Sequence, residues 1–347
     1  MTPSSDSVTI VGDGAMATVA ALILQSRGWT PTILGRNAGR IGELVQSREN
    51  RRYLPGYRLP APIRFSAQPA RALPEAGLLI NAVPTQFIRK VWADLAEHVP
   101  AGVGVASVSK GVERGTTMRP TQVIAEVLQA QSPSDDPDKP GRPLASLSGP
   151  TIADELAKCL PATACAASDD PAFAALLQEA FTTQWFRVYT NSDLLGVELA
   201  GATKNCIALA AGMLDGLQAG INAKSALLSR GLAEIARLGS AMGARPETFF
   251  GVTGVGDLAT TCFSPGGRNR TCGEALGRGR KLDEVLEEIP GVVEGVPTTE
   301  AVVKLAERYR VEMPICTAIH RVLFDGLDPL DGIGQLMTRE PKAESVG

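Results

Sequence analysis

The stretch VTIVGDGAMATVAALIL, residues 8–24, decides the fold. A short run of Val, Thr and Ile ends in Gly12-Asp13-Gly14, and a helical apolar pattern follows at once. A buried strand that stops at a glycine and turns straight into a helix opens a βαβ unit. Gly12 permits the tight turn and Gly14 lets backbone approach a pyrophosphate, while the new helix offers free N–H groups and the positive end of its dipole. Ala17 takes the third small position, where helix packs on strand. The middle residue of such a turn contributes mainly backbone, so the Asp13 carboxylate is expected to point to solvent. Ala15 and Met16, which follow the second glycine, are expected to contact a dinucleotide largely through backbone.

Outward from this unit, further apolar runs at residues 32–34, 77–83, 102–108, 144–148, 161–167 and 182–190 alternate with helical patterns. The runs lack polar alternation, as strands buried on both faces do. The expected architecture is α/β: an N-terminal Rossmann domain, residues 1–191, with a doubly wound sheet. The Pro- and Asp-rich stretch at 131–143 reads as a surface loop. After Asn191 the pattern is helical and rich in Ala and Gly, with no convincing strand, which predicts an all-α domain over residues 192–347.

The composition narrows the chemistry. The chain has 347 residues, 34 basic and 37 acidic, for a net charge of −3. That balance gives no basic field for nucleic acid. No segment reads as a membrane span, and the N-terminus lacks the basic start of a signal peptide, so a cytoplasmic protein is expected. The six cysteines form no C-x-x-C pair and read as reduced, mostly buried thiols; no metal site is expected. With two histidines, His98 and His320, both placed on structural grounds, an acid or base is to be sought among Lys, Asp and Glu.

The second strand ends TILGRN, with Arg36 where an NAD-specific fold would carry a carboxylate. A guanidinium there suits a 2′-phosphate, which makes the cofactor NADP or NAD, with NADPH favoured. Lys110 in VSKG and the SGPT stretch at 148–151 follow strands, where doubly wound sheets bind ligands. Lys204 stands on an otherwise apolar helix, where a lysine is costly unless paired and acquires a lowered pKa suited to proton transfer. Asp257, Arg268 and Asn269 lie in a glycine-rich stretch, residues 254–270, that suits a phosphate monoester.

Taken in order, NRRYLPG, VSKGVE, SGPTIADEL, ATKN within a long apolar helix, GVGDLATTC, GGRNR and VVEGVPTTEAV span residues 8 to about 316 with the opening fingerprint. This chain resembles the NAD(P)-dependent glycerol-3-phosphate dehydrogenases of the bacterial type. The resemblance implies reversible reduction of dihydroxyacetone phosphate to sn-glycerol 3-phosphate, supplying glycerophospholipid synthesis. It implies Lys204 as proton donor and acceptor, with Lys110 and Asp257 as further catalytic groups. Substrate would meet Lys110, Gly149, Thr151, Lys204, Asp257, Gly267, Arg268 and Asn269. Cofactor would meet Gly12, Gly14, Ala15, Met16, Arg36, Lys110, Ala153, Arg268, Val292 and Glu294. The chain departs from the family at Ala15-Met16, where a Ser and an aromatic are usual, and at Gly267, where Ser is common. The alternatives are a reductase of a small hydroxy or keto acid and a catalytically silent dinucleotide sensor. The partner expected is the small phosphorylated substrate, with no nucleic acid; the Ala/Gly-rich helices would pack either within one chain or across a homodimer.

Overall fold

The computed structural model describes residues 6–131, 141–341 and 343–344; most of the proline-rich stretch, residues 132–140, lies outside them. The chain divides into two compact units. The first takes residues 1–109 and 120–194, and the second takes residues 110–119 and 195–347. The division is therefore not a single cut: the short segment bearing Lys110 belongs with the second unit.

The strands are β1 (Ser7–Val11), β2 (Thr30–Leu34), β3 (Glu49–Asn50), β4 (Leu54–Arg58), β5 (Arg64–Ser66), β6 (Leu78–Asn81), β7 (Val105–Ser107), β8 (Leu144–Ser148), β9 (Ala162–Ser168) and β10 (Phe186–Asn191). Eight of them form one sheet in the order β10-β9-β8-β7-β6-β1-β2-β5. From β5 across to β8 every pairing is parallel. Counted by parallel strands alone, that order is the 3-2-1-4-5-6 of the doubly wound dinucleotide fold, with its switch point between β1 and β6. The last two strands pair in parallel with each other and run antiparallel to β8. The fold class read from the sequence is the one observed. The structure adds β5 and the β3–β4 hairpin, which are too short or too charged to show as apolar runs.

Among the described residues, seven α-helices belong to this first unit: α1 (Ala15–Ser26), α2 (Ala38–Ser47), α3 (Pro69–Ala72), α4 (Ile88–Leu95), α5 (Pro120–Gln131), α6 (Ala153–Ala157) and α7 (Pro171–Phe181). Val8, Ile10, Ile33, Leu78 and Ile80 have no exposed surface, as parallel strands covered on both faces require. The helix α1 seals one face through Ala17, Ala21 and Leu24, all without exposure.

After β10 every regular element among the described residues is helical: α8 (Leu194–Gly216), α9 (Gly220–Met242), α10 (Asp257–Phe263), α11 (Arg268–Gly277), α12 (Leu282–Glu288), α13 (Gly295–Tyr309), α14 (Pro314–Phe324) and α15 (Pro329–Met337). One expectation needs correction here. The 23-residue α8 contains an 18-residue window of mean hydropathy 1.3 and is long and apolar enough to cross a bilayer, against the expectation of no such segment. The physical reason for its apolarity is burial: 89% of that window is covered within the chain, and α8 is the axis of the second core.

Glu234, 2% exposed on α9, shows how this core accommodates a charge. Its carboxylate accepts the backbone N–H groups of Ile315 (2.7 Å) and Cys316 (3.2 Å), the free donors in the first turn of α14. Burial pushes its pKa up to about 7, against the pull of those donors and of Arg237. A carboxyl that binds its proton more tightly folded than unfolded stabilises the fold most at low pH, and that stability is lost as pH rises from about 4.5 through about 7. A shift of this size is worth roughly 3 kcal/mol over the window. Between pH 5.5 and 8 the denaturant midpoint of the natural chain should fall by more than that of Glu234→Gln, whose side chain stays neutral throughout. Parallel pH profiles for the two proteins would remove Glu234 from this role.

Candidate active site

In the second unit, three sequence-distant residues meet at one carboxylate. Asp257 is the first residue of α10, and its side chain is 3% exposed. It follows a π-helical turn, Val252–Gly256, of the kind that interrupts helices at functional positions. That turn requires Gly254, because a Cβ there would stand 1.9 Å from the Phe249 carbonyl oxygen. Lys204 Nζ lies 2.9 Å from Asp257 Oδ1, and Lys110 Nζ lies 2.7 Å from Oδ2. The two ammonium groups thus take one oxygen each. Lys204, 7% exposed, also donates to the Thr261 hydroxyl, which in turn donates to the Asp257 carbonyl at 2.7 Å.

One carboxylate between two lysines leaves a net positive charge in a nearly dry place. Such a site favours negative charge developing on a reacting oxygen. Burial and the charge of Lys204 push the Lys110 ammonium down to about 8, against the attraction of Asp257. At neutral pH Lys110 therefore keeps its charge and loses it as pH rises through about 8.

A chain of amides fixes the segment that carries Lys110. Asn205 Nδ2 donates to the Lys110 carbonyl (3.0 Å), Asn269 Nδ2 donates to Asn205 Oδ1 (2.9 Å), and the Gly295 N–H donates to Asn269 Oδ1 (2.9 Å). Arg119 at the far end of the segment pairs with buried Glu198 on α8. Asn269, expected at a phosphate, thus spends its oxygen and one amide hydrogen on this relay. Arg268 is exposed at the start of α11 and has no hydrogen bond or ion pair among the described residues. Arg270 instead holds Asp215 at 2.7 Å. Gly267 precedes α11 at its N-cap, while Val292 and Glu294 lead into α13. Asn205 and Thr261 were not singled out in the sequence. The signal for Thr261 was its place one helical turn after Asp257, and that for Asn205 was its adjacency to Lys204.

In the first unit, the glycine turn fits a dinucleotide pyrophosphate. Gly12 has φ +122°, and a Cβ there would meet the Ala82 carbonyl oxygen at 2.8 Å. Gly14 caps α1 with no side-chain cap, and no atom lies within 4 Å of where its Cβ would be. Gly14 thus puts no side chain over the free N–H groups of α1, and Ala15 and Met16 begin the helix beside it. Asn50 in the β3–β4 hairpin steadies the turn, donating to the Asp13 carbonyl (3.0 Å) and to Thr18 Oγ1 (2.7 Å). Gly149 (φ +142°) and Thr151, whose hydroxyl donates to the Gly149 carbonyl at 3.1 Å, follow β8, and Ala153 starts α6. Against expectation, Asp13 does not face solvent. Its side chain is 16% exposed and pairs with Arg40 of α2 at 3.0 Å. The next strand's tip ends in a glycine, and the carboxylate fills the space that this leaves. No group of three or more potential metal ligands occurs among the described residues.

Residues 7–174 match the family described as NAD-dependent glycerol-3-phosphate dehydrogenase N-terminus, and residues 193–333 match the corresponding C-terminus. A glycerol-3-phosphate dehydrogenase of the NAD(P)+ type from Geobacillus kaustophilus (strain HTA426) is 44% identical over 343 residues, 98% of this chain and 96% of that protein. One from Chlorobium phaeobacteroides (strain BS1) is 42% identical, covering 97% and 98%. The crystal structure of glycerol-3-phosphate dehydrogenase from Coxiella burnetii superposes with a TM-score of 0.89 at 34% identity, covering 96% of this chain and 99% of that one. A ketopantoate reductase from Ralstonia eutropha JMP134, at TM-score 0.58 and 14% identity, shares the fold alone.

Proposed function

The chain belongs to the NAD-dependent glycerol-3-phosphate dehydrogenase family, and on that footing we propose how its own residues reduce dihydroxyacetone phosphate to sn-glycerol 3-phosphate. The observation that supports the reading is the single buried carboxylate, Asp257, shared by Lys110 and Lys204. NADH or NADPH supplies the hydride that adds to C2. The carbonyl oxygen gains negative charge as that bond forms, and the Lys204 ammonium gives it a proton. In the reverse direction neutral Lys204 takes the proton from the C2 hydroxyl. Asp257 holds the Lys204 nitrogen in place through the 2.9 Å ion pair. Lys110 contributes a second positive charge that lowers the cost of the developing oxyanion.

Arg268, which has no internal partner among the described residues, is the substrate-phosphate ligand in this reading, with the remaining amide hydrogen of Asn269 beside it. Gly149 and Thr151 contribute further substrate contacts. Gly12, Gly14, Ala15, Met16, Arg36, Ala153, Val292 and Glu294 contribute cofactor contacts, and Lys110 and Arg268 serve both ligands. The product, a phosphorylated glycerol, is the backbone that glycerophospholipid synthesis acylates.

The test is direct. Purified protein given dihydroxyacetone phosphate with NADH or NADPH should oxidise the cofactor, followed at 340 nm, and the rate should fall as pH rises through about 8, where Lys110 loses its charge. No oxidation with either cofactor would sink the reading.

A further inference from the structure

Doubly wound dinucleotide folds that prefer NAD hold a carboxylate at the tip of the second strand, where it accepts the ribose 2′-hydroxyl. Here β2 ends at Leu34 and is followed by Gly35 and Arg36, so the strand itself supplies none. The structure supplies one from elsewhere. A Cβ at Gly35 would stand 2.8 Å from Ile41 Cδ1 and 3.2 Å from both the Cβ and Oδ2 of Asp13. A side chain at 35 would thus crowd both Ile41 and the Asp13 carboxylate, and glycine leaves the place to them.

The placement is held from three sides. Asn50 fixes the Asp13 carbonyl. Arg40, in the first turn of α2, lies 3.0 Å from Oδ2 and 3.4 Å from Oδ1. Tyr53 in turn meets Arg40 across 3.5 Å. A cavity of about 300 Å³ opens beside this group, lined by Asp13, Arg40, Asn50, Arg52 and Tyr53 among others. Arg36, one residue past Gly35, is exposed and has no partner among the described residues.

We propose that Asp13 reads the 2′ position of the adenosine ribose, taking over from the first glycine turn the task that a β2 carboxylate performs in other chains. The inference rests on the dinucleotide reading above. A 2′-hydroxyl gains an acceptor at Asp13. A 2′-phosphate meets a negative charge there and must draw Arg40 away from its partner, helped by Arg36 and by Arg52 of the cavity wall. Asp13 and Arg36 therefore pull cofactor choice in opposite directions, and Asp13 is the element that keeps NAD(H) in use.

Calorimetric titration of the full chain with NAD+ and with NADP+ tests this without turnover. Asp13→Ala should weaken NAD+ binding about tenfold, as loss of a hydrogen bond to a charged group does, and leave NADP+ unchanged or tighter. Asp13→Asn, which keeps the size and removes the charge, should move the ratio the same way. Equal weakening of both ligands in both variants would reduce Asp13 to a support of the turn and overturn the proposal, as would no change in either. A natural chain that binds neither dinucleotide would sink the dinucleotide reading itself, a separate failure.

Discussion

Lys204→Ala is expected to lower kcat for dihydroxyacetone phosphate reduction by about 10³–10⁴-fold, the range set by loss of a positioned general acid together with its charge. The affinity for the dinucleotide should stay within about twofold, because the glycine turn that would hold it is built by other residues. The variant also separates chemistry from scaffolding. Lys204 satisfies Asp257 and Thr261, so its removal leaves one oxygen of a buried carboxylate without its cation. Lys204→Arg restores a cation but not a transferable proton, since guanidinium stays charged throughout the working pH range. If Lys204 served only to neutralise Asp257, the arginine variant would recover most activity; recovery near the natural level would refute the proton-transfer role. A second readout follows from the shared carboxylate. The charge of Lys204 helps push Lys110 down to about 8. Without it, the Lys110 pKa should climb, and residual activity in the alanine variant should persist to higher pH than in the natural chain.

The parts of this site legible in the sequence are those that break a local rule. A lysine on a helix of Ala, Leu, Ile and Val is such a break, as is a Gly-x-Gly between strand and helix. Both mark costs that a structure must compensate. What sequence could not show is how the breaks find one another: Lys110 and Asp257 are 147 residues apart, and nothing local in either stretch encodes a shared carboxylate. Asp13 failed for the same reason. Its direction depends on the absence of a side chain at Gly35 and on the reach of Arg40, both tertiary facts. In the fold, the long buried parallel strands were readable because burial on both faces leaves unbroken apolar runs. The β3–β4 hairpin was not, since its residues include Glu49, Arg51 and Arg52 and its work is done by one side chain, Asn50.

Gly273→Ala is expected to destabilise the helical unit by about 3 kcal/mol or more, the upper range for overpacking against atoms that have nowhere to go. A Cβ at Gly273 would stand 1.9 Å from the Leu209 carbonyl oxygen of α8. The contact is reciprocal: a Cβ at Gly212 would meet the Arg270 carbonyl oxygen of α11 at 2.0 Å. Gly216 and Gly277, four residues further along each helix, are in the same position against Glu274 and Met213. The two helices therefore touch backbone to backbone, and each obstacle is a main-chain atom that no rotamer change removes. Gly334, exposed within α15 with no atom within 4 Å of a would-be Cβ, is the control. There alanine should stabilise by about 0.5–1 kcal/mol, through helix propensity alone. Denaturant unfolding of the two variants should move in opposite directions; a Gly273→Ala protein as stable as the natural one would mean that the helices can separate at little cost. The consequence reaches the site, because α11 carries Arg268 and Asn269 while α8 carries Lys204 and Asn205. Pushing the helices apart must stretch the 2.9 Å bond between Asn269 and Asn205. The close approach that the glycines permit is what brings the proposed phosphate ligand and the proposed proton donor within one network, so catalytic efficiency should fall in the Gly273 variant even under conditions where it remains folded.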